Sequence, residues 1–146
     1  MKNIICEKYK LINIFLFVFI LFFLFYMHNH YDSWFRGNEA LDFDKYYRGI
    51  YSPIFYGGKW LAGILAVLLF FPARFFRIWL LYIAPPILLL TFWLVQGISV
   101  HSGNLLNPTR AKMAENGMML LALITVLFLV TSFIIEWRKK SKLPTA

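Results

Sequence analysis

The stretch MHNHYDSW, Met27 to Trp34, sets His28, His30 and Asp32 at alternate positions. In an extended segment residues two apart share a side, so two imidazoles and a carboxylate would converge on one ion, a donor set that suits zinc. His101, at the end of a later apolar run, is a fourth candidate ligand if both stretches lie on one side of a membrane. The plainer reading is that these polar residues mark where a membrane span ends, since no cysteine or glutamate-histidine pattern accompanies the pair. A single cysteine, Cys6, excludes an internal disulfide and any multi-cysteine metal site.

Other chemistry is scarce. The chain has no GxSxG elbow, no phosphate-binding glycine loop and no HExxH. Asp42 and Asp44 lie beside Lys45 and Arg48, the setting of solvated loop carboxylates. Ionisable groups at the centre of a membrane helix cost at least about 2.5–3.5 kcal/mol and usually mark transport or proton paths. Here Lys59 and Glu136 fall near span ends, and Gln96 is the strongly polar side chain well inside span three. Thr91, Thr125, Thr131 and Ser132 can bond back to their own helices. This argues against a proton-coupled transporter or an ion channel formed by one chain. No enzymatic activity and no cofactor are expected.

The elements that must carry these residues follow from composition. Of the 146 residues 60% are hydrophobic, 20% aromatic and 15% charged, whereas a soluble domain has about 25% charged residues. Four runs are long enough to cross a bilayer, which takes roughly 17–25 apolar residues each. They lie at about 11–27, 55–71, 78–100 and 117–137, with loops at about 28–54 and 101–116, a short turn at 72–77 and a tail at 138–146. The expected class is therefore an all-α membrane protein with four transmembrane helices and a single domain. The first span lacks a small-x-small cleavage pattern after it and reads as an uncleaved signal-anchor. The turn PARFFR predicts a tight hairpin between spans two and three, and Pro85-Pro86 predicts a kink in span three. Thr109 is a candidate cap for the fourth helix.

Lysine and arginine set the expected orientation. With both termini cytoplasmic, that side holds Lys2, Lys8, Lys10, Arg74, Arg77, Arg138, Lys139, Lys140 and Lys142. The other side holds Arg36, Lys45, Arg48, Lys59, Arg110 and Lys112, together with most of the acidic residues. The net charge of +8 is thus accounted for by topology and by the anionic cytoplasmic leaflet, and no nucleic-acid partner is expected.

Two features bear on partners. Gly58, Ala62 and Ala66 recur every four residues along span two, a spacing that lets helix backbones approach closely in lipid. This face suits packing within the bundle or docking of another membrane protein. The first outer loop mixes aromatics with charge; Trp34, Arg36, Tyr46, Tyr47 and Arg48 suit either an interfacial belt or a recognition surface.

In size, span count and loop character the chain is similar to the small polytopic inner-membrane immunity proteins that protect bacteria from pore-forming toxins. The leading expectation is a non-enzymatic bacterial inner-membrane protein that binds another membrane protein, most concretely a membrane-inserting toxin. An accessory subunit of a secretion, conjugation or respiratory complex is the second expectation. A small transporter or metal-handling protein using His28, His30 and His101 is the third. The oligomeric state is left open.

Overall fold

The computed structural model describes residues 2–35, 43–98 and 109–141. Among them every regular element is helical: α1 (Lys2–Phe35), a π-helical segment (Phe43–Tyr51), α2 (Ser52–Leu69), α3 (Ala73–Ile78), a second π segment (Trp79–Ile83), α4 (Ala84–Gly97) and α5 (Arg110–Ser141). Four stretches are long and apolar enough to cross a membrane: Glu7–Tyr31, Tyr46–Leu69, Ala73–Gly97 and Arg110–Arg138. At 1.5 Å per residue the shortest, of 24 residues, reaches about 36 Å, against a hydrocarbon core of about 30 Å. Helices suit this setting because their backbone groups are satisfied within each segment.

The helices begin and end elsewhere than the apolar runs do. Helix α1 runs on past Met27 because nothing between Lys2 and Phe35 is glycine or proline. His28 to Ser33 are polar but do not break a helix. The second span starts nine residues before Phe55, because the end of the expected loop is π-helical and feeds straight into α2. The expected turn 72–77 contracts to Phe70–Pro72. Pro72 is extended at ψ 141° and caps α3, and its carbonyl accepts the Phe75 N–H at 2.9 Å. Arg74 and Arg77 therefore stand on a helix. The fourth helix begins at Arg110, well ahead of Gly117, with the Lys112 N–H donating to the Thr109 hydroxyl at 3.2 Å, the expected cap.

Around Pro85-Pro86 the helix changes pitch. Neither proline has an N–H to offer the carbonyls of Leu81 and Tyr82 one turn back. Just before the pair, Trp79–Ile83 winds as a π-helix, with the Ala84 N–H reaching the Trp79 carbonyl five residues earlier.

Helix α2 packs along α5, α5 along α4, and α1 along α2. The ring is completed where α1 meets α3, while α1 scarcely touches α4. We call the end where α1 begins and α5 finishes the terminal end, and the opposite end distal. Towards the terminal end the core is bulky: Leu65, Leu68, Phe76, Trp79 and Leu121 are each at most 2% exposed. The Trp79 indole N–H donates to the Thr125 hydroxyl at 2.8 Å, and that hydroxyl donates to the Leu121 carbonyl at 2.7 Å. At the surface of this end Arg74 pairs with Glu136, and the Arg77 guanidinium lies 5.5 Å from the Tyr9 ring centroid.

Candidate functional site

In the distal half glycines stand at two of the helix contacts. A Cβ on Gly117 would stand 2.3–2.8 Å from three atoms of Thr91, and a Cβ on Gly58 would stand 2.9 Å from Leu24 Cδ2. The glycines thus allow α4 to touch α5, and α1 to touch α2. Gly57 faces Ala114 and Met118 of α5. Thr91 spends its hydroxyl on the Ile87 carbonyl at 2.7 Å, as Thr131 does on Leu127 at 2.8 Å.

Because α1 and α4 separate here, a cleft of about 410 Å³ opens between them. Its walls are Ile20, Phe23 and Leu24 of α1 and Leu88, Phe92 and Val95 of α4. Ile54, Gly57, Gly58 and Leu61 of α2 form another side, and Ala114 and Met118 of α5 close the back. Thr91 and Gln96 supply its polar groups. Among the described residues no titratable side chain lines it, so these residues offer apolar surface, the Thr91 hydroxyl and the Gln96 amide.

Arg110 holds the rim. Its Nε donates to the Ile98 carbonyl at 2.8 Å, and a terminal guanidinium N–H donates to the Gly49 carbonyl at 3.4 Å. One cation thereby satisfies a carbonyl at the C-terminus of α4, where positive charge is favoured, and ties the first π segment to both α4 and α5.

The sequence-derived candidates fall into different places. Residues 28–35 are helical, so the extended geometry that would turn His28, His30 and Asp32 to one side does not form. Residues two apart on a helix diverge by about 200°. The His28 ring stacks on Phe55 at 6.3 Å, and the His30 ring lies 4.3 Å from Tyr26. Among the described residues no three metal-ligating side chains come together. His101 and Arg36 lie outside the described residues, and Trp34 sits in the last turn of α1.

Tyr47 is half-buried in an aromatic ladder. Tyr47, Tyr51 and Phe55 stack at successive 5.5 Å spacings, and Tyr31 of α1 lies 5.6 Å from both tyrosines. The Tyr51 hydroxyl donates to the Met27 carbonyl at 3.3 Å. Tyr46 and Arg48 face outward. Of the small-residue face, Ala62 is buried, Gly58 abuts α1 and Ala66 is half-buried. That face is used chiefly inside the bundle.

Sequence reasoning missed Arg110, Gly117 and Asn13. The last is 2% exposed inside α1, and its Oδ1 has no hydrogen-bond partner among the described residues. An asparagine within an otherwise apolar run was a readable signal; the roles of Arg110 and Gly117 depend on residues far away in the chain.

No protein-family model matches the chain, and neither the curated proteins nor the solved structures searched contain a match.

Proposed function

We propose that the chain is a non-enzymatic, multi-pass protein of the bacterial inner membrane that acts by binding another membrane protein. In this reading both termini are cytoplasmic, following the lysine and arginine distribution. The connection Phe70–Pro72 turns a tight hairpin, and Pro85-Pro86 kinks the third span. The most concrete form is an immunity protein whose partner is the membrane-inserting helix of a pore-forming toxin.

The observation that carries the reading is the distal cleft between α1 and α4. It lies within the candidate spans, is walled by apolar side chains and floored by glycines, and bears no ionisable group among the described residues. A helix laid there would gain van der Waals contact, the main source of helix association in lipid. Gln96 would supply one hydrogen bond for register. Tyr46 and Arg48, on the same distal end, face outward and suit the adjoining extramembrane part of the partner.

The test is survival of bacteria producing the chain when challenged with a panel of pore-forming toxins. Protection that is lost in Gln96→Leu and Phe92→Ala, with unchanged amounts of protein in the membrane, supports the reading. Absence of protection against every toxin, together with stable co-purification in a larger complex, would replace it with an accessory-subunit role. Ala62→Leu is a poor probe of docking, since Ala62 is buried within the bundle.

A further inference from the structure

A second recess lies on the other side of α2, between α2 and α5. It holds about 420 Å³ and is apolar along Gly63, Ile64, Val67, Ala122 and Val126. Gly63 has open space where a Cβ would be, so the missing side chain helps to make the groove. Lys59 and Trp60 stand at its distal mouth.

The lysine is held in a particular direction. Its Nζ lies 4.2 Å from the centroid of Phe55 and 5.5 Å from that of Tyr56, both nearer the distal end. The side chain thus runs up the helix towards the headgroups, as snorkelling lysines do, and the two rings fix the ammonium there. Among the described residues no carboxylate pairs with Lys59.

From this we infer that the α2–α5 groove binds a phospholipid with an anionic headgroup, one acyl chain lying along Gly63 and the phosphate meeting the Lys59 ammonium. The charge decides the occupant. An apolar helix laid over the groove would bring no counter-charge to this ammonium, which no carboxylate among the described residues pairs. A lipid phosphate satisfies the same charge while its chain fills the apolar floor. Anionic lipids are favoured over zwitterionic ones because the phosphate of the latter already faces its own ammonium. The inference rests on the membrane spans and is independent of the partner proposed for the distal cleft.

The experiment is native mass spectrometry of the full chain, released from detergent after incubation with equal amounts of phosphatidylglycerol and phosphatidylcholine. The intact protein should retain phosphatidylglycerol several-fold over phosphatidylcholine. Lys59→Gln, at an exposed position, should bring that ratio to about one while still retaining lipid. Gly63→Leu, whose side chain enters the groove, should lower retention of both. Lys112→Gln, a distal lysine paired with Glu115 at 3.0 Å, should leave the ratio as it is. Equal retention by the intact protein, an unchanged ratio in Lys59→Gln, or undiminished retention in Gly63→Leu would each overturn the proposal. So would a loss of preference in Lys112→Gln as complete as in Lys59→Gln, which would assign it to general surface charge. A dimer that disappears in Gly63→Leu would give the groove to a second copy and also overturn it.

Discussion

Towards the chain termini the helices are joined by large side chains, with Phe76, Trp79 and Leu121 filling the centre and Trp79 bonded to Thr125. Towards the distal end they also meet through glycines, Gly58 admitting Leu24 and Gly117 admitting Thr91, beside the aromatic ladder of Tyr31, Tyr47, Tyr51 and Phe55. Both devices make close contacts, but they behave differently at the edges. Bulky residues project in several directions and close the ring where α1 meets α3. A glycine contact joins only the two helices that meet at it, so α1 and α4 are free to part and leave the cleft. A small-residue stripe is therefore compatible with an open binding groove in a way that an aromatic core is not.

The largest effect should come from emptying the bulky half. In lipid the transfer gain of burial largely vanishes between helices, leaving the loss of packing. Phe76→Ala should accordingly cost about 3 kcal/mol, the low end of the soluble range, in reversible unfolding in detergent. Gly117→Ala should follow, at about 1–3 kcal/mol for overpacking, since its Cβ would fall inside van der Waals contact with Thr91. A neutral Gly117→Ala would show that α4 and α5 are not in close contact and would break the contrast. Trp79→Phe should cost about 1 kcal/mol, the usual scale of an interhelical hydrogen bond in a membrane.

Subtler is Arg110→Gln, which removes the charge that links Ile98 and Gly49. It should speed hydrogen exchange in the distal part of α4 and the first π segment while leaving the amides around Trp79 protected. Uniform acceleration along all helices would mean that the two halves are one cooperative unit. Smallest of all is Arg74→Gln. Its pair with Glu136 is partly exposed, so a change of about 0–1 kcal/mol is expected, shrinking further with added salt.

Much of the architecture was legible from composition and runs. The four spans needed only hydropathy and length, and the Thr109 cap needed only local chemistry. Helix ends were less legible, because hydropathy reports where lipid ends and the backbone reports where breakers stand. His28 to Ser33 differ from the preceding run in polarity but not in helix compatibility, so the metal geometry imagined for an extended chain met a helix instead. The small-residue pattern at Gly58, Ala62 and Ala66 was visible, but its direction was not. A period of four says that one face is small and is silent on which helix that face meets.

By itself, then, the sequence determined that four apolar helices form, where prolines and glycines punctuate them, and which end carries the aromatic and acidic residues. Those properties depend on neighbours within a turn or two of each residue. Tertiary structure alone decided that Gly117 admits Thr91, that Arg110 clasps two distant carbonyls, and that α1 parts from α4 to leave a cleft. It also decided that Lys59 stands at the head of a groove whose far wall is α5. Each depends on which helix lies beside which. Between apolar helices in lipid that choice rests on shape rather than on hydrophobicity, and shape is read only when the helices are together.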